Sequence, residues 1–156
     1  MTRYTVNNRN TLLSIPWYVT ALTVTANSCN EDTINVVDLS SFKFLRSVVI
    51  GNECFKYVRI LSIVGLNWLE SVSIGYRSFW DSSTSSLKGS EFKIVNCPQL
   101  KSLSIGYRSF GRYNGFELCQ LPQLKSVVID NSADGFCFRY ARKAVFRGMN
   151  DGRDGL

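Results

Sequence analysis

Two Tyr-Arg pairs, Tyr76-Arg77 and Tyr107-Arg108, lie 31 residues apart inside one identical seven-residue string, Ser73–Phe79 and Ser104–Phe110. The chemistry such a pair supplies is recognition. Tyrosine brings a large ring with a polar tip at modest entropic cost, and arginine a planar guanidinium that forks onto carboxylates and stacks on rings. Catalysis is harder to derive from these residues. The chain has no histidine, so acid-base work would fall to carboxylates or to a lysine, tyrosine or cysteine with a displaced pKa. A repetitive sheet can gather carboxylates from neighbouring units onto one patch, yet matching positions here put Glu70 between Arg46 and Lys101, and Glu53 beside Asn52 and Arg77. Phosphate-cradling loops, dinucleotide fingerprints and nucleophile elbows are absent from the sequence. Cys29, Cys54, Cys97, Cys119 and Cys137 make no C-x-x-C pair and have no histidine to join them, so buried free thiols are expected rather than a zinc site or a disulfide framework. The expectation is a protein that is not an enzyme and carries no cofactor or metal.

The elements that must hold these residues are written in a repeated frame. With Φ for an apolar residue, Φ-x-Φ-x-x-Φ-x-x-Φ-x-x-Φ-x-Φ fits Val37, Leu39, Phe42, Leu45, Val48 and Ile50, then Leu61, Ile63, Leu66, Leu69, Val72 and Ile74. It fits again at Phe92, Ile94, Cys97, Leu100, Leu103 and Ile105, and at Phe116, Leu118, Leu121, Leu124, Val127 and Ile129. All 24 slots are apolar in a chain that is 45% hydrophobic overall, which argues against chance alignment. Val19, Leu22 and Val24 match the end of an earlier copy. Gly51, Gly75 and Gly106, with Asp130 in the last copy, follow the final slot and are expected to turn the chain through positive φ. Phe55, Phe79 and Phe110, each behind a small residue, are expected to point inward at that corner.

The closing Φ-x-Φ has period two, which predicts a strand with both apolar residues on one face. The opening Φ-x-Φ predicts a second short strand on the opposite side, and the three-residue spacing between them suits turns or short 3₁₀ segments. One unit buries too little surface to offset the ordering of its chain, whereas neighbours stacked through paired strand edges bury enough. Self-similarity at a period of roughly 20 to 50 residues marks a solenoid or propeller. The expected fold is mainly β, a right-handed solenoid with parallel strands and few or no long helices.

Leu100-Lys101-Ser102-Leu103-Ser104-Ile105 resembles the L-x-x-L-x-L segment of leucine-rich repeats, and Leu121-Pro122-Gln123-Leu124-Lys125-Ser126-Val127 the L-P-x-L-K-x-L junction of that family. Cys97-Pro98-Gln99-Leu100-Lys101-Ser102-Leu103, with the ending Ile105-Gly106 to Ser109-Phe110, is similar to elements of the BspA-like subclass. The resemblance covers about residues 36 to 130 and implies a leucine-rich-repeat-type solenoid. Members of that family place asparagine at the ninth position of the unit, where it bonds the next coil. Here that slot holds Glu53, Arg77 and Arg108, so a flatter coil with two parallel sheets stands beside the family's horseshoe curvature as an equal alternative.

The chain reads as a single repeat domain over residues 1–156, with an irregular N-terminal coil at about 14–35, regular repeats at about 36–130 and a C-terminal cap or tail at about 131–156. Met1–Leu13 looks irregular as well. Net charge is +6, of which +3 falls in residues 137–156. Arg139, Arg142, Lys143 and Arg147, interleaved with Ala141, Ala144, Val145 and Phe146, predict one or two helical turns there. No segment has the length and apolarity of a membrane span, and Met1–Trp17 lacks the pattern of a signal peptide. With the odd cysteine count this points to an intracellular location.

Overlaid through the frame, outward positions form three ladders: Arg46, Glu70, Lys101, Lys125; then Ser47, Ser71, Ser102, Ser126; then Val49, Ser73, Ser104, Val128. Lys101 beside Lys125 is a like-charge pair that an acidic partner would relieve. The 31-residue spacing adds seven residues after Phe79, giving Trp80–Ser90, a Ser-rich loop in which Trp80 is a recognition candidate. The resulting expectation is a protein-protein interaction module whose partner-binding set is Glu70, Ser73, Tyr76, Arg77, Trp80, Lys101, Ser104, Tyr107, Arg108 and Lys125. The alternative is an anionic polymer, nucleic acid or acidic glycan, held by Lys101, Lys125, Arg77, Arg108 and the basic tail. A third reading is a fragment of a larger repeat array without activity of its own, because duplication alone would copy Tyr-Arg into adjacent units.

Overall fold

The computed structural model describes residues 1–80, 87–130, 137–139, 141 and 143–148. They are mainly β. The order is β1 (Arg3–Val6), α1 (Arg9–Leu13), β2 (Ala21–Val24), β3 (Val36–Asp38), β4 (Ser47–Ile50), β5 (Ile60–Val64), β6 (Ser71–Ile74), β7 (Leu87–Val95), β8 (Ser102–Ile105), β9 (Tyr113–Cys119), β10 (Ser126–Ile129) and β11 (Lys143–Arg147). Two sheets, β1-β2-β4-β6-β8-β10 and β3-β5-β7-β9-β11, hold all of these strands, and every pairing is parallel. From β2 onward successive strands fall in alternate sheets, so each return of the chain lands beside the matching strand of the preceding repeat.

Register follows the frame. Ser47, Ser71, Ser102 and Ser126 are Cα partners in series, as are Ile50, Ile74, Ile105 and Ile129. A slip of one residue would turn Val72 and Ile74, or Leu103 and Ile105, out to solvent, and that cost fixes the pairing. The core lies between the two sheets. Every frame slot is buried except Phe42, Leu124, Val127 and Ile129. The last three belong to β10 and its lead-in, at one end of the six-stranded sheet.

The corner after each strand of that sheet differs from expectation. Gly51, Gly75 and Gly106 do not take positive φ; left-handed backbone comes at Glu53, Arg77 and Arg108, and again at Phe55, Phe79, Phe110 and Phe138. The glycines are required by close approach instead. A Cβ on Gly51 would sit 2.7 Å from the Ala26 backbone nitrogen, and one on Gly75 2.8 Å from that of Asn52. A left-handed phenylalanine is costly, and it persists where the surroundings over-determine it. Those surroundings are a column of rings: Phe55 on Phe79 at 5.1 Å, Phe79 on Phe110 at 4.6 Å and Phe110 on Phe138 at 5.2 Å, all stacked.

A hydroxyl and thiol ladder takes the place of an asparagine ladder. Ser78 Oγ donates to the Gly51 carbonyl at 2.7 Å and accepts from the Cys54 N–H at 3.2 Å; Ser109 Oγ donates to Gly75 at 2.7 Å and accepts from Ser78 at 3.1 Å. Cys54 and Cys137 donate through sulfur to the carbonyls of Thr25 and Gly106. Buried backbone groups of the corner are thereby satisfied from the neighbouring repeat.

Two expectations about the ends are corrected. β1 pairs with β2, and α1 carries a capping box between Asn8 and Thr11, so the first thirteen residues are ordered. Ala21–Val24 is a strand, with Leu22 and Val24 buried in the closing slots that the frame gives them. Lys143–Arg147 is a strand on β9 and not a helical cap, because Ala144 and Phe146 fall opposite Phe116 and Leu118 and repeat their alternation. In the inserted segment, Leu87–Ser90 belong to β7, which reaches its β9 register through an irregularity between Leu87 and Glu91, while Asp81–Ser86 lie outside the described residues.

Candidate functional site

The two turns that carry Tyr-Arg are locked together by backbone bonds. Gly106 N–H donates to the Ile74 carbonyl at 2.8 Å and Arg77 N–H to the Tyr107 carbonyl at 2.9 Å, while Asn52 Oδ1 accepts from Tyr76 N–H at 3.0 Å. Parallel strands spaced about 4.8 Å apart then set the side chains one above the other. The Tyr76 and Tyr107 rings stack with centroids 5.0 Å apart and planes 7° from parallel. Arg77 and Arg108, both at positive φ, each place their guanidinium carbon 5.9 Å from the centre of the Trp80 ring. Contacts of that kind contribute about 0.5–1 kcal/mol at exposed sites. Arg77 also reaches Glu53 Oε1 at 3.6 Å.

Beside the tyrosines runs an open groove of about 630 Å³, lined by Asn52, the strand ends Ser73–Tyr76 and Ser104–Tyr107, and Val128–Asp130. Its floor is low because Ser73 and Ser104 stand in a ladder whose other members are Val49 and Val128. The structure therefore joins Ser73, Tyr76, Ser104 and Tyr107 around one depression, with Arg77, Arg108 and Trp80 along the same edge.

Glu70, Lys101 and Lys125 lie elsewhere. They precede β6, β8 and β10, one full strand away from the tyrosines, on the order of 15 Å along the sheet. Glu70 pairs with Arg46 at 3.8 Å, and no carboxylate of a described residue pairs with Lys101 or Lys125. Lys143 and Arg147 are on the five-stranded sheet, and Arg142 and Arg153 lie outside the described residues. Cations thus occupy several separate places.

Sequence reasoning passed over one exposed aromatic group. Trp17, at 5.4 Å from Tyr18 and 5.8 Å from Phe44, and Trp68, under the Arg46 guanidinium at 5.8 Å, are all open to solvent. The signal was available, since Tyr18, Phe44 and Trp68 each stand immediately before an inward residue, Val19, Leu45 or Leu69.

All five thiols are free. Burial, reinforced by the charge of Glu31, pushes the Cys29 thiol up to about 12, and burial with Asp130 nearby pushes Cys137 up to about 11. Cys54, Cys97 and Cys119 are raised by burial as well. Raised thiols stay protonated and are poor nucleophiles at neutral pH. In an unfolded chain Cys29 ionises near its ordinary value of 9.0, whereas in the fold it holds its proton. The unfolded state then binds fewer protons above that pH, so stability is level below it and falls as pH rises from 9 toward 12. Between pH 8 and 10 the urea midpoint should drop by the equivalent of about 1 kcal/mol from this thiol, and Cys29→Ala should flatten that part of the profile. A wild-type midpoint independent of pH over this interval would contradict the assignment.

Among the described residues no three His, Cys, Asp or Glu side chains converge as a metal site, and no helix is long and apolar enough to cross a membrane. No family model, curated protein or solved structure matches this chain.

Proposed function

We propose that the chain is a right-handed solenoid of leucine-rich-repeat character that binds another protein, without catalysis, through the groove and the Tyr-Arg edge of its six-stranded sheet. The observation that carries this reading is the stacked Tyr76–Tyr107 pair, flanked by two guanidiniums on Trp80 and set beside a groove floored by serine. Tyrosine, tryptophan and arginine dominate the energetics of protein interfaces, and here they are held in place by the turns before any partner arrives, which lowers the entropic cost of association. Dispersal of the cations favours this over a polyanion track: Arg77 and Arg46 are already engaged by Glu53 and Glu70, and Lys101 and Lys125 sit a strand's length from Arg77 and Arg108.

The test is a comparison of partner capture by the wild type and by a Tyr76→Ala, Arg77→Ala, Tyr107→Ala, Arg108→Ala variant, with circular dichroism confirming that both are folded. Affinity for the captured protein should fall by at least 100-fold, since two or more interface anchors at about 2 kcal/mol each are removed. Unchanged capture by a folded variant sinks the reading. A salt titration of the same complex separates the alternative, because a nucleic acid or acidic glycan would be released steeply with ionic strength.

A further inference from the structure

β10 forms one end of the six-stranded sheet, and among the described residues no strand lies on its other side. At the same inward slot Val48, Val72 and Leu103 are 0–1% exposed, whereas Val127 is 42% exposed and the adjoining outward Val128 is 54% exposed. Natural sheets protect such edges with charges, proline or bulges. The edge strand β11 carries Lys143 and Arg147, and β1 carries Arg3; β10 reads Ser-Val-Val-Ile with none of these. Its far end, Val128–Asp130, is already a wall of the groove beside Tyr107.

The fold itself contains the complementary sequence. Glu70-Ser71-Val72-Ser73-Ile74 lies parallel against β8, with Lys101 N–H bonded to the Glu70 carbonyl and Val72 and Ile74 opposite Leu103 and Ile105.

We infer that β10 accepts an extended segment of a partner protein as a seventh, parallel strand, and that the segment carries a carboxylate followed two and four residues later by apolar side chains. The carboxylate lies beside Lys125 and relieves its repulsion with Lys101; the apolar pair covers Val127 and Ile129. Main-chain bonds to the open edge supply affinity, and the alternate side chains supply specificity.

The probe is a fluorescein-labelled peptide with the sequence Glu-Ser-Val-Ser-Ile-Gly, titrated by anisotropy against the full 156-residue chain. Saturable binding is expected, abolished by Val127→Lys, which points a charge into the slot. Lys125→Glu should weaken it roughly three- to five-fold, and replacing the peptide's glutamate by lysine should restore affinity for that variant alone. Absence of binding, or loss in Lys125→Glu that the exchanged peptide does not recover, overturns the proposal. So does a gain of peptide affinity on truncation after Gly148, which would mean that the chain's own end covers the edge. Sedimentation showing a dimer that Val127→Lys disperses would assign the edge to a second copy and would likewise overturn it.

Discussion

Phe110→Ala should remove a large share of the protein's stability. Phe110 is fully buried and is the most connected ring of the corner column, 4.6 Å from Phe79, 4.5 Å from Phe92, 5.2 Å from Phe138 and edge-on to Tyr113 at 5.0 Å. Truncation removes the transfer free energy of a phenyl group and leaves a cavity shared by three repeats, for a loss of about 3–5 kcal/mol. Domains of this size are stable by about 5–15 kcal/mol in total. Urea denaturation should show the midpoint falling by the equivalent of about 3–5 kcal/mol. Phe55→Ala, at the end of the column with one stacked neighbour, should cost visibly less. Equal losses at the two positions would mean that the rings do not act as a column.

Gly106→Ala is the second large effect, and it reaches the proposed binding edge as well as the fold. The added Cβ would lie 2.5 Å from the Tyr76 nitrogen, 2.6 Å from the Gly75 carbonyl carbon and 2.7 Å from the Tyr76 Cα. All three are backbone atoms of the neighbouring repeat, so no side chain can swing aside; the turns must separate. Overpacking of this kind costs about 1–3 kcal/mol, at the upper end where backbone must move. Separation also pulls the Tyr76 and Tyr107 rings beyond their 5.0 Å contact, so partner affinity should fall in the fraction that remains folded. Gly115→Ala is the control. Its nearest neighbour would be 3.7 Å away and its φ is not positive, so stability should hold or rise by a few tenths of a kcal/mol.

The strands facing the core were legible because a period of two and a repeat of 24 or 31 residues both point to the same slots. The corner was half legible. Phe55, Phe79 and Phe110 appeared as inward residues, but Phe138 escaped because it follows Asp130 by eight residues where Phe110 follows Gly106 by four. The glycines were visible while their reason was not: clearance against a neighbouring backbone is a tertiary requirement, and only the stacked structure separates it from a need for positive φ. β1 and β11 are short, carry one or two inward apolar residues each, and lie beyond the reach of a frame defined by six slots. Within the candidate site, adjacency of Tyr76 and Tyr107 followed from the repeat. The approach of both Arg77 and Arg108 to Trp80 did not, because Trp80 occurs in one copy alone and no period places it. Glu70, Lys101 and Lys125 were grouped with the tyrosines on type and repetition, and the length of a strand separates them.

Both the core and the proposed interface depend on residues 31 positions apart becoming neighbours in space. A NOESY spectrum of isotope-labelled protein in solution tests this most directly. Ile74 methyl groups should show cross-peaks to those of Ile105, and the Tyr76 ring protons to those of Tyr107, with Ile50 and Ile129 extending the methyl series on either side. A folded protein in which Ile74 and Ile105 give no mutual cross-peak would contradict the stacking, and with it the Tyr-Arg edge.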